Sequence, residues 1–223
     1  MSYFITGTDT GVGKTLIGCA LLHALAAQGL RVVGMKPVAA GCDEHDMNED
    51  VRALLAASNV MATRGQVNPY CFSKPVAPHL AAHFVGISIN LERIVQSYHE
   101  LAAQADAVIV EGVGGFLVPL NEHEDGADLA MNLNLPVILV VGIRLGCMNH
   151  ALLTVQAIAH CGLELAGWVA NCVDEHMEMK DENIAALQSR IEAPLLGIVP
   201  YCKTSPDAGD VAEKLDIKLL GYA

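Results

Sequence analysis

The chain is poor in basic residues. Thirteen Lys and Arg stand against 25 Asp and Glu, a formal net charge of −12. Nonspecific binding to a phosphate backbone depends on Lys and Arg, so this balance argues against a nucleic-acid partner, and the acidic excess serves solubility. Long apolar runs are missing too. The longest, Val137 to Ile143, falls far short of the roughly 20 residues that a membrane-spanning helix needs. Residues 1–15 lack the basic segment and apolar core of a secretory leader, so a cytoplasmic protein is expected. No Cys-x-x-Cys pair occurs. The seven cysteines (19, 42, 71, 147, 161, 172 and 202) are scattered, and without a leader such a set reads as reduced thiols. His79 and His83 would share a helix face, but no further ligand lies close in sequence, so a structural role is expected there. There is no internal repeat, linker or low-complexity tract.

What is present is a globular composition, 52% apolar over 223 residues, enough for one domain with a large core. Near its start the apolar run Tyr3-Phe4-Ile5 leads into Gly7-Thr8-Asp9-Thr10-Gly11-Val12-Gly13-Lys14-Thr15, and an apolar-periodic segment follows from Leu16. Strand, glycine-rich turn, Gly-Lys-Thr and helix, in that order, are the context of a phosphate-binding P-loop. Glycines let backbone N–H groups turn inward around a phosphate, and the helix start adds its positive dipole end. Lys14 would reach the β- and γ-phosphates and the Thr15 hydroxyl a Mg²⁺ ion. The usual spacing places a glycine where Thr8 stands; here Gly7 comes one residue earlier.

Along the rest of the chain, helical periodicity predicts helices over Leu16–Gln28, Asn48–Ala57, Leu91–Ala105, Asp125–Leu133, Asn149–Cys161 and Glu182–Ile191. Buried strands are expected at Arg31–Met35, Ala107–Val110, Pro136–Gly142, Leu165–Asn171 and Leu195–Val199. Residues 58–78, punctuated by three prolines, read as irregular, and the acidic run Asp43-Glu44-His45-Asp46 as a solvated loop. Alternating strands and helices imply an α/β fold, a mostly parallel central sheet with helices on both faces. Ligands of such sheets bind beyond the carboxyl ends of the strands.

Residues at those ends are therefore the informative ones. Lys36 follows the second strand and is read either as a surface lysine or as a second cation facing the phosphates. Glu111 closes a strand with no other polar residue, where a bare carboxylate would be costly; with Thr15 and Asp50 it could hold Mg²⁺. For Asp50, spacing leaves open whether it is a ligand or an ordinary first-turn acid. Gly112 to Gly115 would let the backbone approach a ligand closely. Gly146-Cys147-Met148-Asn149 could offer N–H groups to an anion, but the reading favoured by sequence is a connection with Asn149 as N-cap.

Several segments together resemble the dethiobiotin synthetase family. They are Gly7 through Thr15, Lys36-Pro37-Val38, Asn68-Pro69-Tyr70, Glu111 through Gly115, Leu135 through Gly142, Leu145 through Ala151, Gly167 through Asn171, and Ala193 through Gly197. The resemblance implies a homodimeric, ATP-dependent ligase that joins CO₂ to 7,8-diaminononanoate and closes a cyclic urea. By motif, Gly11, Val12, Gly13, Lys14, Thr15, Leu16, Gly112, Val113 and Gly114 would hold the nucleotide phosphates, and Thr15, Asp50 and Glu111 Mg²⁺. Thr10, Lys36 and Gly114 would face the reacting amines; Asn171, Pro200, Tyr201 and Cys202 would frame the adenine. Leu145, Gly146, Cys147 and Asn149 would receive the substrate carboxylate from across a dimer interface. Ala40 stands at a substrate-lining position where the family often has serine, which puts a hydroxyl contact there in question. Two other classes share such a loop. A partitioning-type ATPase switch usually carries a lysine near the loop start, where Asp9 stands here. An amidotransferase-type ligase normally carries a further glutaminase domain, for which 223 residues leave no room.

Overall fold

The computed structural model describes residues 1–45, 47–204 and 206–221; Asp46, the end of the acidic run, lies outside them. From the N-terminus the chain forms β1 (Ser2–Gly7), α1 (Lys14–Ala27), β2 (Val32–Met35), β3 (Val38–Ala40), α2 (Glu49–Ala57), α3 (Arg64–Val67), β4 (Tyr70–Phe72), α4 (Pro78–Phe84) and α5 (Leu91–Ala102). It continues with β5 (Ala107–Glu111), α6 (Gly126–Leu133), β6 (Val137–Ile143), α7 (Cys147–His160), β7 (Leu165–Cys172), α8 (Lys180–Gln188), β8 (Leu195–Val199), α9 (Ala208–Ala212) and a 3-10 turn at Ile217–Leu220.

Six strands make one sheet in the order β2-β5-β1-β6-β7-β8, every neighbouring pair parallel. The central strands are buried on both faces, which is why their sequences are continuous apolar runs without a period of two. On one face Ile5, Ile109, Ile138 and Val140 pack with Ile17, Leu21, Leu22 and Leu25 of α1. On the other, Phe4, Val108, Val110 and Val137 meet Ile94 of α5, Leu129 of α6 and Ile158 of α7. Register then fixes the site. Ile5 is paired with Glu111 and Gly7 with Val140, so the loop after β1 and the end of β5 open onto the same edge of the sheet.

Beyond shifted helix ends and the unpredicted α4 and α9, the structure departs from the sequence reading in the following places. Residues 58–78 are not simply irregular: they contain α3 and β4, and β4 pairs in parallel with β3 as a separate two-stranded ribbon. That pairing joins segments about thirty residues apart, and neither strand is long enough to show a period. Cys42 and Cys71 are not free thiols. Cys42 N donates to Phe72 O at 3.0 Å in continuation of the ribbon, which brings the two cysteines' Cα atoms to 6.2 Å, and they form a disulfide; the other five are free. Helix α7 starts at Cys147, with Gly146 at the N-cap position at φ 92°. Asn149 therefore sits inside the first turn and is not the cap. Helix α8 starts two residues early, after Met179 turns to φ 51°. No helix among the described residues is long and apolar enough to cross a membrane.

Candidate active site

Between β1 and α1 the loop wraps around an open concavity. Gly11 and Gly13 take φ of 73° and 91°, values that only glycine adopts without strain. Gly7, the early glycine, is required by packing: a Cβ there would lie 2.6 Å from Val12 Cγ2. Val12 is buried and pins the loop from below. Its carbonyl accepts from Asn171 Nδ2 at 2.8 Å, and a Cβ on Gly13 would strike that amide at 2.2 Å. Lys14 is 6% exposed and its Nζ donates to Asp9 O at 2.9 Å. Burial, then the nearby Lys36 ammonium, bring the Lys14 pKa down to about 8. An anion in the loop would work in the opposite direction. Asp9 is held by the Thr10 N–H at 2.7 Å and by Arg144 at 2.5 Å.

Thr10, Gly11, Gly13, Lys14, Thr15, Lys36, Ala40, Asp50, Glu111, Val113 and Gly114 all line one cleft of about 730 Å³. At its floor Glu111, 1% exposed, accepts through Oε1 from Thr15 Oγ1 at 2.9 Å and from Lys36 Nζ at 2.5 Å. Lys36 Nζ also lies 3.1 Å from Asp50 Oδ2. Burial pulls the Lys36 pKa down, but Glu111 and Asp50 outweigh it and hold the ammonium above its usual range. Burial likewise pushes Asp50 up, and the Lys36 charge and a Thr15 hydrogen bond bring it below the usual carboxylate range. Glu111 Oε2 is buried and has no hydrogen-bond partner. A buried carboxylate oxygen left bare is costly, so this atom marks a place for a cation or a donor. Among the described residues no group of three or more His, Cys, Asp or Glu could hold a metal; the oxygens here are two carboxylates and a hydroxyl.

Over nearly its whole length the chain matches proteins named ATP-dependent dethiobiotin synthetase. It is 57% identical over 221 residues to the ATP-dependent dethiobiotin synthetase BioD of Nitrosospira multiformis, covering 99% of this chain and 97% of that one. It is 54% identical over 217 residues to the protein of that name from Aromatoleum aromaticum, covering 96% of each. The chain belongs to the ATP-dependent dethiobiotin synthetase family. Residues 1–207 also match a family model described as an AAA domain. Among solved structures, the MinD cell division protein of Aquifex aeolicus aligns with all of this chain and 97% of its own at TM-score 0.59 and 16% identity. A ParA family ATPase of Chlorobium tepidum aligns at TM-score 0.55, 15% identity, over 99% of this chain and 96% of its own. At such identities these two show a shared fold and nothing more. With the synthetase relatives more than half identical, the partitioning-switch reading is not favoured.

Other residues assigned by family resemblance do not line the cleft themselves, although the Gly112 carbonyl accepts from Lys36 Nζ at 3.3 Å. Gly112 lines a small neighbouring cavity, and Leu16 packs beside the α1 core. Asn171 and Val199 are register partners, so Asn171 and the exposed Pro200, Tyr201 and Cys202 sit together at the ends of β7 and β8, beside the P-loop. Leu145, Gly146 and Asn149 are exposed, Leu145 at 93%, and do not line the cleft of their own chain. Cys147 departs from the substrate-contact expectation: its side chain is buried in the core with Leu139 and Val141, and its N–H donates to Arg144 O at 3.0 Å. Sequence reasoning missed Asn48, which caps α2, donates to Ala40 O at 3.1 Å and lines the cleft, and the wall from Pro75 to Pro78. The Lys74-Pro75 and Ala77-Pro78 pairs were the available signal for that wall.

Proposed function

We propose that this single-domain protein is a dethiobiotin synthetase, an ATP-dependent ligase that carboxylates 7,8-diaminononanoate with CO₂ and closes the cyclic urea. The observation that carries the reading is the placement of Lys36, bracketed by Asp50 and Glu111, on the same cleft as the P-loop lysine and Thr10. A phosphoryl acceptor is what such a second cation beside a P-loop would serve.

In the chemistry proposed, one amine adds to CO₂, forming an N–C bond and releasing a proton, and gives a carbamate. A carbamate oxygen attacks the γ-phosphorus and ADP leaves. The second amine then attacks the carbonyl carbon of the mixed anhydride, forming the second N–C bond and losing a proton, and phosphate departs with the oxygen. Lys14 and the loop N–H groups hold the phosphates, while Lys36 faces the carbamate and the moving phosphoryl group. Gly114 and Thr10 close round the amines; a Cβ on Gly114 would sit 3.6 Å from Thr10 Oγ1. Thr15, Asp50 and Glu111 are the residues that would hold Mg²⁺, and the bare Glu111 Oε2 fits an ion that takes oxygen ligands. When bound, that ion would neutralise charge developing on the phosphates. Asn171 spends its amide nitrogen on Val12, which leaves its carbonyl oxygen to meet the base, beside Pro200, Tyr201 and Cys202. Use of ATP and CO₂ supports a cytoplasmic location. There the Cys42–Cys71 link would meet thiol reductants, in a setting where disulfides are uncommon.

The protein is further proposed to act as a homodimer. Leu145, Gly146 and Asn149 are exposed, and a Cβ on Gly146 would meet nothing within 4 Å in its own chain, so the segment is available to a second copy. The first turn of α7 would there receive the substrate carboxylate. Asn149→Ala is expected to raise the KM for diamine and leave that for ATP unchanged. Gly146→Val, strained at φ 92°, should do so more strongly. Mixed with Lys14→Ala protein, the Gly146→Val protein should regain activity, because a hybrid dimer retains one intact loop served by one intact segment. No recovery under proven subunit exchange would show that each site is built within one chain.

The reading as a whole is tested by ADP release with and without diamine. Release that requires diamine is expected; release indifferent to it would contradict the assignment and favour a switch-type ATPase.

A further inference from the structure

We infer that Asn68 is a positioning residue for Lys36, an inference that rests on the role given to Lys36 above. Asn68 is 0% exposed, in the bend between α3 and β4. Its Nδ2 donates to Lys36 O at 2.6 Å and to Tyr70 O at 2.9 Å. Lys36 N in turn donates to Val67 O at 2.9 Å. Both backbone polar groups of Lys36 are therefore held by Val67 and Asn68, from a segment remote in sequence.

Pro37 completes the clamp. A residue before proline is confined to extended backbone, and Pro37 O accepts from Tyr70 N at 3.1 Å. With its backbone fixed on both sides, Lys36 has only its own rotamers left, and its Nζ ends between Glu111 and Asp50. The donor chemistry is specific. A primary amide presents two N–H groups from one planar nitrogen; serine offers one donor and an ionised aspartate none. Asn68 Oδ1 is buried and has no partner. The bonded end of the amide is the one that grips Lys36 and Tyr70. Sequence marked Asn68-Pro69 as a break in periodicity and, with Tyr70, as part of the family resemblance, but not as a clamp, because the groups it joins lie just after β2 and in β4.

The test is a cycle in the full-length protein: Asn68→Ala, Lys36→Gln and the double variant, each with its melting temperature, nucleotide-binding stoichiometry, kcat and KM. Asn68→Ala is expected to lower kcat per nucleotide site by about 10- to 100-fold, the cost of a misplaced group, with ATP affinity near wild type. In the Lys36→Gln background the same change should cost less than about threefold, because the group it positions is gone. Asn68→Ser, which keeps one donor, should fall between and serves if Asn68→Ala does not fold. Unchanged kcat per site in a folded Asn68 variant, or an equal loss in both backgrounds, would overturn the inference while leaving the Lys36 role standing. Wild-type kcat in Lys36→Gln would overturn both. An absence of diamine-dependent turnover in the wild type would mark instead the failure of the functional assignment.

Discussion

Lys36→Gln is expected to lower kcat by about two to three orders of magnitude, the effect of removing one preorganised donor from a charge that develops in the transition state. ATP binding should change less, because the loop N–H groups and Lys14 are the groups expected on the phosphates, whereas Lys36 Nζ is directed at Glu111 and Asp50. Stability enters the same experiment. Glu111 is 1% exposed, and removing the partner of a buried charge typically costs about 3–5 kcal/mol. Glutamine is uncharged and one atom shorter than lysine, so Glu111 loses its charged partner and the loss should fall within that range. Kinetics therefore belong well below the variant's melting temperature. A folded Lys36→Gln enzyme with wild-type kcat would remove Lys36 from the mechanism.

Lys14→Ala should reduce turnover by about a thousandfold and also weaken nucleotide binding, which distinguishes it from the Lys36 variant. A P-loop lysine reads from sequence as an exposed cation. The structure instead shows it 6% exposed, with its Nζ on the Asp9 carbonyl. The expectation for folding nevertheless stays favourable, for a different reason. Burial and the neighbouring Lys36 already disfavour the Lys14 charge, as its pKa of about 8 shows. Alanine removes that desolvated charge and leaves no opposite charge stranded, unlike the Lys36 change. The melting temperature should thus hold where that of Lys36→Gln falls, and the two thermal scans side by side check the electrostatic picture independently of activity. Full turnover in folded Lys14→Ala would rule out the P-loop reading.

The main sheet was legible because its central strands are buried on both faces and so appear as plain apolar runs; the edge strand β8, with Ile198 44% exposed, shows a similar run. From that alone, Lys36 and Glu111 could be placed at strand ends beside the P-loop. Whether Asp50 joined them could not be decided from spacing, since an acid in the first turn of α2 is expected on any helix; only the packing of α2 brings it 3.1 Å from Lys36 Nζ. The β3–β4 ribbon, the Cys42–Cys71 link and the Asn68 clamp escaped for one shared reason. Each is a contact between the 36–42 and 67–72 segments, and no local period records a contact of that range. The start of α7 was misread because Asn149 has the right chemistry for a cap, while the backbone turns earlier, at Gly146.

The central claim is that ATP hydrolysis here drives a carbon from CO₂ into a ring on a diamine. It is tested most directly by supplying ¹³C-bicarbonate, ATP, Mg²⁺ and 7,8-diaminononanoate and measuring ADP and labelled cyclic urea in the same quenched samples. One labelled carbonyl per ADP, with neither formed when diamine is omitted, is the predicted result. ADP accumulating without labelled urea would contradict it.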